Sequence, residues 1–209
     1  MTAENWGRIA AAVLAGYAVG SLPTAIWLCR FVFKIDITKV GSGNPGMTNV
    51  WRALGWKPAL PVALLDAAKG ALAAYVGSLI TQNPAWALWA GVAAIVGHSF
   101  SFLAGFKGGK GVLTALGVFV YLSPAASLSG LFLWSVIMAW SRVVSLSSVI
   151  AASSLPVLVF CEARWHGSAG ITPVFWAALS VGGFVVVRHR ANLGRLLAGT
   201  EPRFRGKAS

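Results

Sequence analysis

The sequence predicts an all-α integral membrane protein of about seven transmembrane helices, some short or re-entrant, with the N-terminus outside and the C-terminus cytoplasmic. Three observations predict it. The first is composition: 57% of the 209 residues are apolar and only 11% charged, with a mean hydropathy of +0.74, where a soluble domain carries about 25% charge. The second is a series of charge-poor runs, each long enough to cross a hydrocarbon core about 30 Å thick. The third is a lopsided placement of Lys and Arg between those runs. Together they exclude a soluble enzyme, a disordered chain and a nucleic-acid reader whose basicity lies on an exposed fold. A single domain, 1–209, is expected.

Ile9 to Val32 is the first span, interrupted by Pro23 and Arg30. It lacks a small-residue cleavage motif followed by a soluble chain, so it reads as a retained span rather than a signal peptide. Pro58 to Ile80 is the second span and Ala85 to Phe106 the third. Gly111 to Ser141 is too long for one untilted helix, and Ser123-Pro124 divides it into two short ones. Val143 to Cys161 and Ile171 to Val187 complete the set. With seven crossings, Arg30, Lys34, Lys39, Arg52, Lys57, Lys107, Lys110, Arg142, Arg188, Arg190, Arg195, Arg203, Arg205 and Lys207 lie inside, fourteen of the seventeen basic residues. Arg8 and Arg164 lie outside and Lys69 within a span. A re-entrant hairpin over 111–141 gives the same sidedness. Cys29 and Cys161 then fall near opposite faces, which argues against a disulfide.

The chemistry is concentrated in the inward segments. The first reads KIDITKVGSGNPGMTNVWRALGWK. Its Gly41, Gly43 and Gly46 match a dinucleotide fingerprint by accident, since the loop follows a membrane span instead of a strand and contains Pro45. What remains is a glycine loop with Ser42, Gly43, Asn44, Thr48 and Asn49, then Arg52. Backbone N–H groups turned inward, hydroxyl and amide donors and a guanidinium fork suit phosphate oxygens. A polar turn with a snorkelling arginine is the plainer alternative.

The second segment, GHSFSFLAGFKGGKGV, holds Lys107, Gly108, Gly109, Lys110 and Gly111. It is no Walker A loop, because no Ser or Thr follows the lysine and no strand precedes it. It is a basic turn at the start of a helix, where anions are favoured. Positive-inside charge explains the lysines but not the glycines. His98, about two helical turns before Lys107, is a candidate base or hydrogen-bond donor, although a lone histidine is more often structural. In the third segment Ser145 and Ser148 share a helix face, an arrangement that also serves close helix packing. The fourth, VVVRHRANLGRLLAGTEPRFRGK, places His189 and Asn192 on one face of a basic tail. Within the second span Asp66 and Lys69 are spaced to pair, as a structural ion pair or a functional one. The scattered histidines and acids support no metal site, and no cofactor is expected.

Read together, GSGNPGMTNVWR, GHSFSFLAGFKGGKG, RVVSLSS and RHRANLGRLLAGTE resemble the motifs of the bacterial acyl-phosphate:glycerol-3-phosphate acyltransferases, in order over nearly the whole chain. GSLP in the first span and LLDAAKG in the second also fit. Met47 stands where that family usually has alanine, and Ser101 where it usually has proline.

The resemblance implies transfer of a fatty acyl group from acyl phosphate to the sn-1 hydroxyl of glycerol 3-phosphate, giving lysophosphatidic acid and phosphate. It implies a bacterial inner-membrane enzyme of phospholipid synthesis, working at the cytoplasmic face among membrane lipids, with no nucleic-acid partner. Ser42, Arg52, Lys110, His189 and Asn192 are the expected catalytic set. Gly43, Asn44, Thr48, Asn49, Lys107, Gly108, Gly109, Gly111, Ser145 and Ser148 would bind substrate. The proton acceptor is either His189 with Asn192 or the donor's own phosphate. A transporter for a phosphorylated solute is the competing class, disfavoured because the basic groups cluster on one face without an internal repeat. A lipid-bound scaffold would leave the glycine loops without a purpose.

Overall fold

Small and polar residues on one face and large apolar residues on the other dictate how the longest described helix sits. In the computed structural model, which describes residues 2–204, no strand occurs among the described residues. The chain forms two compact units, Met1–Leu122 and Ser123–Ser209. Arg205 and Lys207, two of the inward charges expected from the sequence, lie outside the described residues.

The first unit contains α1 (Ala3–Gly20), α2 (Thr24–Phe31), α3 (Met47–Leu54), α4 (Trp56–Thr81), α5 (Ala87–Ser99) and α6 (Val112–Leu122). The Thr2 hydroxyl caps α1 by accepting from the Asn5 N–H at 3.4 Å. Along α4, Leu60, Leu64, Leu72 and Leu79 are exposed, while Ala59, Val62, Asp66, Lys69, Gly70, Ala73 and Gly77 are buried. This is the pattern of a helix that shows its greasy face to lipid and its small and polar face to its neighbours. Gly16 and Gly20 of α1 lie directly on the backbone of Ala90 and Ala94 in α5, so this small-residue stripe packs helices within the chain. Gly70 of α4 meets the Thr114 carbonyl of α6, and Gly117 of α6 meets Ala67 of α4.

The first span differs from its expected form. It begins at Ala3 rather than Ile9, and it is two helices rather than one, broken at Ser21, Leu22 and Pro23. Proline has no N–H to continue the helix ladder and its ring excludes the preceding turn, so a break here follows from Pro23. Helices occupy the other expected apolar runs, although the third ends at Ser99 rather than Phe106.

The second unit contains α7 (Pro124–Ser141), α8 (Val144–Trp165), α9 (Pro173–Arg188) and α10 (Arg190–Leu197). Helices thus end and begin at Leu122 and Pro124, as the Ser123-Pro124 pair requires. The α7 N-terminus is capped from within its unit, since the Glu162 carboxylate accepts from the Ser123 hydroxyl and, at 2.8 Å, from the Ala126 N–H. Five helical segments among the described residues are long and apolar enough to cross a membrane, while α6 and α9 are shorter apolar helices. At 1.5 Å per residue, the 11 residues of α6 reach only about 16 Å. Trp6, Trp140 and Trp165, at or near helix ends, are exposed, as interfacial indoles are. Cys29 is buried and Cys161 exposed, both as free thiols.

Candidate active site

The first glycine loop is shaped by an amide from the helix that follows it. Asn49, in the first turn of α3, donates to the carbonyls of Val40 at 2.9 Å and Ile37 at 3.2 Å, and its Oδ1 accepts from the Ser42 N–H at 3.0 Å. Gly41 and Gly43 adopt left-handed φ of +60° and +69°, and a Cβ on Gly41 would strike the Asn49 amide. Asn49 is 2% exposed, and its amide shapes the loop. Ser42 is exposed, and its hydroxyl accepts weakly from the Asn44 N–H at 3.4 Å. Thr48 and the exposed Arg52 lie one helical turn apart on the same side of α3. Met47 packs against a core of Ala25, Cys29, Ile37, Val50, Ala59 and Val62, which gives the departure from alanine a packing role. Below the loop, Asp36 accepts from both the hydroxyl and the N–H of Thr38. These bonds, then Lys39 and Arg30 nearby, hold its carboxyl below the usual carboxylate range.

The second segment is not the continuous helix that would put Lys107 two turns beyond His98. The chain reverses at Gly105 and Phe106, whose φ values are +61° and +60°, and runs back over the end of α5. The Gly109 N–H then donates to the His98 carbonyl at 3.2 Å. Gly108 lies on that same carbonyl and Gly109 on the His98 ring, closer than any side chain would permit. Gly111, at φ +83°, turns the chain into α6. Lys107 is exposed and Lys110 half-buried.

Beneath this turn is a buried polar cluster. Asp66 Oδ1 accepts from Lys69 Nζ at 2.8 Å and from the Thr24 hydroxyl at 2.6 Å, and His98 Nδ1 approaches it to 3.5 Å. Lys69 also donates to the Leu22 carbonyl at 2.8 Å, an acceptor that the Pro23 break removes from the helix ladder. The Ser101 hydroxyl does the same for the Ser21 carbonyl, a bond proline could not make. Leu22, Pro23, Thr24, Pro45, Lys69, His98, Lys107, Gly108 and Gly109 border a small cleft. Pro45 from the first glycine loop and Lys107 from the second segment thus face the same small space.

In the second unit the organising group is Glu201. Its Oε1 accepts from Asn192 Nδ2 at 2.6 Å and from the Ser145 hydroxyl at 2.8 Å, while Oε2 accepts from Arg195 Nε at 2.7 Å. Burial pushes this carboxyl upward, but the bonds from Asn192, Ser145 and Arg195 outweigh burial and leave it below the usual glutamate value. Ser145 and Asn192 therefore meet on one carboxylate. Ser148 is buried and accepts from the Trp134 indole N–H at 3.1 Å. His189, 3% exposed, caps α9. Its Nδ1 lies 2.8 Å from the Val185 carbonyl. A carbonyl only accepts, so Nδ1 carries a proton in this contact.

The comparisons with known proteins agree with one another. The family model described as glycerol-3-phosphate acyltransferase matches residues 10–199. The chain belongs to this family. It is 43% identical over 192 residues to the glycerol-3-phosphate acyltransferase of a Synechococcus strain, covering 92% of each chain. The glycerol-3-phosphate acyltransferase 1 of Deinococcus radiodurans is 42% identical, with 95% of this chain and 96% of that protein covered. Among solved structures, the integral membrane glycerol 3-phosphate acyltransferase PlsY (YgiH) in its glycerol 3-phosphate form matches with a TM-score of 0.82 and 36% identity, over 94% of this chain and 96% of that one. Its lysophosphatidic acid form matches with a TM-score of 0.80. The family match runs through both units and includes every candidate residue, from Ser42 to Asn192. Glu201, just beyond it, ends the RHRANLGRLLAGTE segment, but a lone acid in a basic tail does not reveal which side chains it gathers.

Proposed function

We propose that this membrane acyltransferase moves a fatty acyl group from acyl phosphate to the sn-1 hydroxyl of glycerol 3-phosphate at the cytoplasmic face of a bacterial membrane. The observation that carries this reading is the basic glycine turn, Lys107 to Gly111, at the head of α6, in a chain that the glycerol-3-phosphate acyltransferase family matches over residues 10–199. A helix N-terminus preceded by two lysines and close-set glycines favours a dianion.

The substrate hydroxyl oxygen attacks the acyl carbonyl carbon, the bond from that carbon to the bridging phosphate oxygen breaks, and phosphate leaves with the hydroxyl proton. Lys107, Lys110 and Arg52, with backbone donors of the two glycine segments other than the Gly43 and Gly109 N–H groups, which bond the Val40 and His98 carbonyls, hold the phosphates and the charge that develops on the leaving group. Ser42, Asn44, Thr48 and Ser148 orient them, and Ser145 contributes more weakly because its hydroxyl is committed to Glu201. His189 and Asn192 orient glycerol 3-phosphate. The donor phosphate takes the proton, its second pKa near ~6 being suited to neutral pH. A mixed anhydride is already activated, so holding the two reactants together supplies much of the rate.

Purified protein given palmitoyl phosphate and glycerol 3-phosphate, without CoA or added metal, should release lysophosphatidic acid and phosphate in equal amounts. Product formed only from palmitoyl-CoA would refute the donor. A His189→Gln variant that binds glycerol 3-phosphate normally but does not turn over would move the proton acceptor to His189.

A further inference from the structure

We propose that Asp66, Lys69 and His98 are positioning residues for acyl transfer, a buried relay that fixes the Lys107–Gly111 turn in its phosphate-holding form. The proposal rests on the reading that this turn holds a substrate phosphate. It extends that reading to three side chains inside the membrane-spanning helices, where charged groups are costly unless they serve a purpose.

The geometry has three parts. First, the relay is dry: Asp66, Lys69 and His98 are 2%, 5% and 9% exposed. Second, it joins segments that are remote in sequence. Lys69 and Thr24 tie the relay to the break in the first span through Leu22 and Asp66, and His98 brings it to the end of α5. Third, its last member touches the turn twice, since the His98 carbonyl accepts from the Gly109 N–H and the ring lies against Gly109.

An imidazole facing Asp66 through Nδ1 has its ring plane set by that carboxylate. Gly108 and Gly109 have no side chain to hold the turn open, so the ring and carbonyl of His98 determine where its N–H groups point. A simple ion pair orienting α4 would need Asp66 and Lys69 but not His98, nor a glycine against the ring.

The test compares His98→Leu with His98→Asn in the purified full chain, reading KM and kcat for each substrate together with thermal stability. Leucine fills the imidazole space without a donor, whereas asparagine leaves a gap but keeps a donor where Nδ1 stood. A positioning role predicts that His98→Leu raises the KM for palmitoyl phosphate at least about tenfold, with kcat and the KM for glycerol 3-phosphate changed by less than about threefold. His98→Asn should recover most of that loss.

The reverse order, with leucine near wild type and asparagine impaired, would show that the ring only fills space and would overturn the proposal. Unchanged KM values in both would overturn it as well. Should His98→Leu fail to fold, the double change Asp66→Leu with Lys69→Met replaces the pair by apolar groups of similar size. It should show the same rise in KM, and an unchanged KM would refute the relay. Lys110→Met separates the two layers of the argument. If it raises the palmitoyl phosphate KM while the His98 and Asp66 variants do not, only the relay falls. If it leaves that KM unchanged, the turn is not a phosphate holder and both fall.

Discussion

The two glycine segments of the first unit reach similar open shapes by opposite means. The loop at Gly41–Gly46 is templated by one amide, Asn49, from the helix that immediately follows it. The turn at Lys107–Gly111 is templated from below by His98, and through it by Asp66 and Lys69 on another helix. The first is a local device whose parts lie within twelve residues of one another. In the second, the Thr24 to Asp66 bond alone spans 42 residues. A locally built loop fails alone when its template is lost, whereas a turn held by a tertiary cluster is sensitive to changes far from it.

The largest effect is expected from Gly108→Ala. The new carbon would sit on the His98 carbonyl, so the turn must move, and displacement of a positioning group on that scale lowers kcat/KM about 100-fold. Steady-state kinetics with palmitoyl phosphate checks this, and a near-normal rate would show that the turn adjusts freely. Asn49→Ala comes next. It strips the loop of three bonds and should destabilise the protein by about 2–3 kcal/mol in a thermal or denaturant assay. Asn49→Asp keeps the acceptor for Ser42 but turns a buried carboxylate oxygen toward the Val40 and Ile37 carbonyls, so it should destabilise at least as much.

Glu201→Gln tests an intermediate design, a carboxylate that gathers Ser145, Asn192 and Arg195 onto the tail. Loss of the charge-assisted bonds should cost about 1.5–3 kcal/mol. The pH dependence has a defined sign. The folded carboxyl sits below its ordinary value of 4.5, so its contribution is complete above the unfolded value and is lost as pH falls below it, through the lowered folded value. Melting temperature measured from neutral pH down to about 3 should therefore fall more steeply in the wild type than in Glu201→Gln. Equal slopes would show that Glu201 is not the acid-sensitive clamp. Met47→Ala, which restores the residue common in the family, should have the smallest effect, about 1 kcal/mol, because the side chain is only half-buried on its core.

The features legible in the sequence are those carried by local rules. Apolar runs predict the helices, Ser123-Pro124 predicts the boundary between α6 and α7, and glycines mark both candidate phosphate segments, with hydroxyls, amides and Arg52 in the first and lysines in the second. What was not legible depends on tertiary meetings. The reversal at Gly105 and Phe106 requires left-handed backbone at a phenylalanine, a conformation that residue type does not announce. Glu201 meets Ser145 across 56 residues of chain, and its place at the end of RHRANLGRLLAGTE does not show that partner. Asp66 and Lys69 were legible as a pair by their spacing, but their link to Leu22 and Thr24 became visible only once the first span was seen to break. The break follows from Pro23, whose ring and missing N–H end the helix ladder.

The seam between α4 and α6 sets a limit on how this membrane protein can change. Gly70 and Gly117 let the two backbones touch, and α6 begins one residue after the basic turn ends. A single added methyl along that seam would wedge the helices apart and tilt the head of α6, so that a defect among lipid-shielded atoms would register in water as a misplaced lysine.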